Sequence, residues 1–226
     1  MHVLLFDIDG TLIRSGGAGK AAMEGGLTKA FGITEIQDVV PYGGRTDEAI
    51  VRDLLRVHGI EVTPENIVKL QQAYQNALQE TLHSQRGEVC RGILELMPRL
   101  TSSNTVTLGL LTGNVRSGAE RKLLHYNLWH YFPFGGFADD THDRSEVARR
   151  AVREAEKHLG REVERNRVWV IGDTPHDVKC ARDVNARAVA VGTGWHSMEE
   201  LAASNPDFLV EDLSQATELL RAWGIH

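Results

Sequence analysis

The run Val3-Leu4-Leu5-Phe6 is apolar at every position and is followed at once by Asp7, Ile8, Asp9 and Gly10. A strand with no polar face belongs in the middle of a parallel sheet covered on both sides, whereas a half-exposed strand alternates. That run therefore predicts an α/β fold, and it puts Asp7 at the carboxyl end of a buried strand, where open α/β sheets bind ligands. The rest of the chain agrees. Strand signals recur at 106–111, 134–138, 168–171 and 187–191, and helical patterns cover 115–127, 144–158, 175–184 and 214–223. The expected core is a Rossmann-like parallel sheet flanked by helices.

One stretch breaks the alternation. From about residue 17 to 85 helical signals dominate and no strand is predicted. Thr46 or Asp47 can start a helix carrying Ile50, Val51, Leu54 and Leu55 and closed by Gly59. Thr63-Pro64 starts another, with Ile67, Leu70, Tyr74, Ala77, Leu78 and Leu82 at helical spacing. An insertion of roughly seventy residues is far longer than an ordinary connection. The chain is accordingly divided into a core of residues 1–14 and 86–226 and a helical unit, 15–85, inserted after the first strand.

Charge narrows the partners. A net charge of −6 without a dense Lys/Arg block argues against a general grip on nucleic acid or an anionic membrane surface. Met1-His2-Val3 is no basic leader, and no apolar stretch approaches the length of a membrane span, so a cytoplasmic protein is expected. Cys90 and Cys180 form neither a CxxC pair nor a disulfide framework and read as small buried residues. The segment SGGAGKAA suggests a phosphate-binding loop, but Arg14 stands where its first glycine would be and Ala21 where its Ser or Thr would be. It is better read as a hinge into the insertion.

The strand ends carry the chemistry. Thr112-Gly113-Asn114 follows 106–111, and Gly172-Asp173-Thr174-Pro175-His176-Asp177 follows 168–171. Thr174 suits an N-cap and Pro175 a first helical residue, which lets Asp173 and Asp177 both face the sheet edge. The chain turns at Gly10, so Asp7 and Asp9 can approach one centre from different directions. Four carboxylates are thus expected together, and two unit charges ~4 Å apart repel by about 4 kcal/mol at an effective dielectric of 20. Such a cluster calls for a cation. All-oxygen ligands favour a hard ion, and Mg²⁺ suits a site shared with a phosphate oxygen.

D-x-D-G-T after an apolar strand, a Thr after a second strand and G-D-x-x-x-D after a later one resemble the haloacid dehalogenase-like hydrolases, particularly phosphoglycolate phosphatase-like members with a helical cap. The resemblance covers essentially the whole chain. It implies that Asp7 attacks phosphorus to form an aspartyl-phosphate, and that Asp9 protonates the leaving oxygen and later deprotonates water. It implies that Thr112 holds a phosphoryl oxygen, with Gly10, Gly113 and Asn114 on the substrate side. The implied metal site comprises Asp7, Asp173, Asp177 and, through its backbone carbonyl, Asp9. Relatives commonly supply a Lys, often followed by Pro, some thirty residues before the metal Asp. None stands here, and Arg144 occupies that distance, with Arg149 a competitor; an arginine there can also simply pair with Asp140 or Asp143. Arg45, in YGGRTDEAI, falls where relatives bring a cap loop down on the site, and is expected to bear on substrate choice.

A phosphatase hydrolysing a small phosphate monoester, phosphoglycolate-like or a sugar phosphate, is the reading this resemblance favours. A phosphomutase of the β-phosphoglucomutase type shares the core and differs in the fate of the aspartyl-phosphate. Dehalogenating relatives lack the second Asp. Phosphonate-cleaving ones need a cap Lys, and nothing marks Lys20, Lys29 or Lys69 as desolvated. A receiver-like phosphate switch would lack both the insertion and Asp9. The sequence leaves monomer and homodimer equally open.

Overall fold

The computed structural model describes residues 1–225. In chain order its elements are β1 (His2–Phe6), β2 (Ile13–Arg14), α1 (Ala18–Phe31), α2 (Asp47–Val57), α3 (Pro64–Ser84), β3 (Glu88–Val89), α4 (Ile93–Thr101) and β4 (Val106–Leu111). Then come α5 (Arg116–His125), β5 (Phe134–Gly136), α6 (Arg144–Leu159), β6 (Val168–Gly172), α7 (Pro175–Asp183), β7 (Arg187–Val191), α8 (Met198–Ala203), β8 (Phe208–Val210) and α9 (Thr217–Ala222).

Six of the strands form one sheet in the order β5-β4-β1-β6-β7-β8, every pairing parallel. β1 is central, with Leu4 opposite Leu108 on one side and Trp169 on the other. Its apolar run follows from that position. Side chains alternate across a sheet, so Leu4 and Phe6 enter a core roofed by α4, α5 and α9, while Val3 and Leu5 enter a second core roofed by α6, α7 and α8. The result is a three-layer α/β/α core. The chain leaves β1 for β4 in one direction and reaches β6 on the other side, so the crevice at the carboxyl ends of these three strands is a topological switch point.

Helices α1–α3 share a separate apolar core built from residues such as Leu27, Leu54, Leu55, Leu70, Tyr74 and Leu78. Thr46 and Thr63 each accept a hydrogen bond at the start of α2 and α3, from Ala49 N and Asn66 N. The chain passes into and out of these helices beside a short antiparallel ribbon, β2 with β3, in which Ile13 faces Val89.

Seven elements differ from the sequence expectation. Helix α4 was not predicted because Pro98 lies inside it, yet Ile93, Leu96, Met97 and Leu100 form one buried stripe whose packing outweighs the missing donor. The two-residue strands of the ribbon, the short helix α8, and β8, whose three residues are all half-buried, give no clear period to read. The predicted 214–223 helix begins as a 3₁₀ turn at Leu213–Gln215 before α9 starts. The strand expected at 134–138 stops at Gly136.

Candidate active site

The crevice collects one loop from each of the three central strands. Asp7 continues β1, its N–H still bonded to Ile171 O at 2.9 Å, and its side chain is buried. Asp173 follows β6, and Asp177 lies in the first turn of α7. Carboxylate oxygens of Asp7, Asp173 and Asp177 all lie within 4.8 Å of one another. Gly10 makes this approach possible: at φ +88° it closes the turn after Asp9, and a Cβ there would fall 2.3 Å from Asp173 Oδ2. Thr11 Oγ1 donates to Asp173 Oδ1 at 3.2 Å, and Asp177 Oδ2 accepts from Thr174 N and Oγ1 at 3.0 and 2.7 Å.

The expected counter-cation is Arg144, the first residue of α6. Its Nη2 pairs with Asp177 Oδ1 and stands 3.4 Å from Asp7 Oδ2, with the side chain 10% exposed. Among the described residues its buried Nε has no hydrogen-bond partner. The alternative pairings go elsewhere: Asp140 binds Arg150, and Asp143 and Glu146 bind the exposed Arg149. Geometry therefore separates Arg144 from its competitor.

Charges in the cluster strain one another. Burial pushes the Asp7 carboxyl up to about 7, against the pull of Arg144 and with the push of Asp177 and Asp9. Burial and the neighbouring Asp177 and Asp7 push Asp173 well above the usual carboxylate range. Arg144 keeps its proton in spite of burial because Asp177 and Asp7 face it. This is a set of hard oxygen donors with more negative charge than one guanidinium balances, and it fits a divalent cation.

A stability measurement follows. A carboxyl whose folded pKa lies above its unfolded value of about 4 holds its proton more tightly when folded, so its contribution falls as pH rises from about 4 to about 7. In chelator, the Tm of the wild type relative to Asp7→Asn should therefore decline across that window, and a divalent cation should remove the decline. A difference that stays flat with pH would contradict the buried, charge-strained cluster.

Asp9 sits apart from the three. Its carboxylate is not in the cluster; Oδ2 accepts from Lys122 Nζ at 2.6 Å and from Asn114 Nδ2 at 2.9 Å. Thr112, wholly buried after β4, has its Oγ1 accepting from Asn114 N and Nδ2 at 3.3 and 2.8 Å. Two N–H donors on one hydroxyl oxygen leave its O–H free to donate elsewhere.

Two residues expected on the substrate side, Asn114 and Arg45, have their donors engaged within the protein. The Asn114 amide N–H is taken by Thr112 Oγ1, and the next, Val115 N, is taken at 2.9 Å by Asp47 Oδ2 from the helical insertion. Asp47 N in turn donates to Gly113 O at 2.7 Å. The start of α5 thus already carries a carboxylate, pushed up to about 6 by its burial although Lys122 and the Val115 N–H oppose the shift. Arg45 turns its guanidinium back to Asp53 at 2.6 Å and to Pro41 O at 3.2 Å. What it lays against the site is its carbonyl: a Cβ on Gly113 would fall 2.1 Å from Arg45 O and 3.0 Å from Arg144 Nη1. Residues 44–47 are wedged between the loops after β4 and β6, with a Cβ at Gly44 only 2.7 Å from Thr174 Oγ1.

Lys122 and Asp47 were not anticipated as site residues. A faint signal existed for Lys122, which lies three residues after Ala119 and so falls beside it on the helix surface.

The chain matches the haloacid dehalogenase-like hydrolase family over residues 4–191 and belongs to it. It is 29% identical to the phosphoglycolate phosphatase of Synechococcus elongatus, the alignment covering 98% of this chain and all of that one. Identity is 25% to the "Probable phosphatase IndB" of Dickeya dadantii, covering 94% of this chain and 90% of that one. CbbY from Rhodobacter sphaeroides, at 17% identity and 96% coverage of both chains, has the same fold. The TM-score is 0.77 for its complex with phosphate and 0.78 for a mutant bound to xylulose-(1,5)bisphosphate. Among the described residues no helix is long and apolar enough to cross a membrane.

Proposed function

We propose that this chain is a Mg²⁺-dependent cytoplasmic phosphatase that hydrolyses a small phosphate monoester, phosphoglycolate-like or a sugar phosphate, through an aspartyl-phosphate on Asp7. The observation that carries this reading is the pairing of buried Asp7 with Arg144 inside the Asp7, Asp173, Asp177 cluster. A carboxylate nucleophile splits one difficult displacement into two easier ones. An Asp7 oxygen bonds to phosphorus while the leaving oxygen departs with a proton from Asp9. Water then adds to the same phosphorus, gives its proton to Asp9 and releases the Asp7 carboxylate. The Thr112 hydroxyl and the Arg144 guanidinium hold the phosphoryl oxygens. When bound by Asp7, Asp173, Asp177 and the Asp9 carbonyl, Mg²⁺ supplies the positive charge that lets an anionic nucleophile meet an anionic ester.

Residues 15–85 act as a cap that excludes water. Residues 44–47, lodged over the loop after β4, support that role, and the phosphoglycolate phosphatase relative supports the substrate class. The purified protein should hydrolyse an aryl phosphate with Mg²⁺, lose that activity in chelator and regain it on adding Mg²⁺. A panel of phosphorylated small acids and sugars should then reveal one ester with a far higher kcat/KM. Full activity after exhaustive chelation, or inactivity towards every phosphate ester, would overturn the reading.

A further inference from the structure

Lys122 is a buried ammonium for which the phosphoryl chemistry above has no use. Its side chain is 5% exposed, and α1 of the insertion lies over it: a Cβ at Gly19 would stand 3.5 Å from Nζ. Nζ donates to Asp9 Oδ2 at 2.6 Å and to Asn114 Oδ1 at 2.7 Å. Asn114 donates from Nδ2 to the same Asp9 oxygen and to Thr112 Oγ1. Among the described residues, Asp9 Oδ1 has no hydrogen bond.

We propose that Lys122 is a positioning residue for the acid–base carboxylate: by fixing Oδ2 of Asp9 as an acceptor, it assigns the transferable proton to Oδ1. The inference rests on the phosphatase reading. An oxygen that accepts two N–H groups, one of them charged, has no room for a proton of its own, so a neutral Asp9 carries it on Oδ1. That proton passes from Oδ1 to the leaving oxygen as the phosphorus–oxygen bond breaks, and Oδ1 takes one back from water in the second step. Lys122 keeps its three protons throughout. It also sets the amide of Asn114, because an ammonium offers no lone pair and only Oδ1 can face it. Nδ2 is thereby directed to Asp9 and Thr112, which leaves the Thr112 O–H to reach the phosphoryl group. One side chain thus orients both the proton donor and a phosphoryl ligand.

A lysine that merely stitched α5 to its neighbours would affect every substrate alike. A positioner of the general acid matters most where the leaving group most needs a proton. The test is kcat/KM for Lys122→Met and Lys122→Gln across phosphate esters from alkyl to dinitrophenyl, in saturating Mg²⁺, with circular dichroism to confirm folding. For Lys122→Met, kcat/KM should fall about 10²-fold or more on alkyl phosphates and less than roughly tenfold on the dinitrophenyl ester. Lys122→Gln, which keeps an N–H donor, should fall between it and the wild type. Because kcat/KM reports the steps up to departure of the leaving group, the later water step does not obscure the comparison. An active wild type with folded variants that share its leaving-group dependence would overturn this inference alone. A wild type inactive on the whole series would overturn the phosphatase reading, and this with it.

Discussion

Replacing Asp7 by Asn is expected to lower turnover by roughly 10⁴-fold or more while the protein stays folded. The amide has the shape of the carboxylate but almost none of its nucleophilicity, and no other group in the crevice stands ready to take its place. Asp173 and Asp177 are held by Thr11 and by Thr174 with Arg144, and Asp9 is held by Lys122 and Asn114. The substitution also removes one of three crowded negative charges, so in the absence of a metal ion the variant should melt no lower than the wild type at neutral pH. Steady-state kinetics with an aryl phosphate decide the matter. Retention of a tenth of wild-type kcat would remove Asp7 from the chemistry.

The second large effect belongs to Arg144. Its guanidinium bridges Asp7 and Asp177, and its buried Nε has no partner among the described residues. A phosphoryl group placed against Asp7 would bring acceptor oxygens to the residue with a donor to spare. Arg144→Met should therefore reduce kcat/KM by about 10²–10³-fold, the scale of losing one fixed donor to developing negative charge. Arg144→Lys should recover part of that, since an ammonium restores the charge but not the further N–H donors that the guanidinium carries beside the Nη2 that meets both carboxylates. The variants should be compared in saturating Mg²⁺, because without the arginine the cluster depends wholly on a metal ion for its balance. Wild-type kcat/KM in Arg144→Met would return Arg144 to a structural role.

Much of the fold was legible because the core strands are extreme. Four apolar residues in a row before Asp7 admit few environments other than the centre of a parallel sheet, and β1 occupies it. The long helices α2 and α3 announced themselves through period and capping threonines. Elements set by tertiary packing were not legible: α4 tolerates Pro98 because four buried side chains hold it, and β8 is a strand because β7 offers it an edge. At the site, three of the four carboxylates expected together share a cluster, and the Asp9 carboxylate lies outside it. Asp7, Asp173, Asp177 and Arg144 share one cluster, and Thr112 and Asn114 are joined beside Asp9. What a single sequence could not reveal is contact between the insertion and the core. Asp47 reads as a helix-start residue yet caps α5 from outside, and Arg45 reads as a free cation yet is neutralised by Asp53 within its own unit. Lys122 drew no notice in the sequence, and packing under the insertion turns it towards Asp9.

The most direct test is to look for the phosphoryl group on Asp7. With Asp9→Asn, which is expected to slow the hydrolytic step, an activated aryl phosphate and Mg²⁺ should produce an acid-quenched protein whose peptide containing Asp7 carries one extra phosphoryl mass. The adduct should be absent from the double variant that also carries Asp7→Asn, and absent in chelator. The same adduct on a peptide without Asp7, or substrate turnover by a wild type in which rapid quenching and mass spectrometry find no phosphorylated aspartate at any time point, would contradict the account.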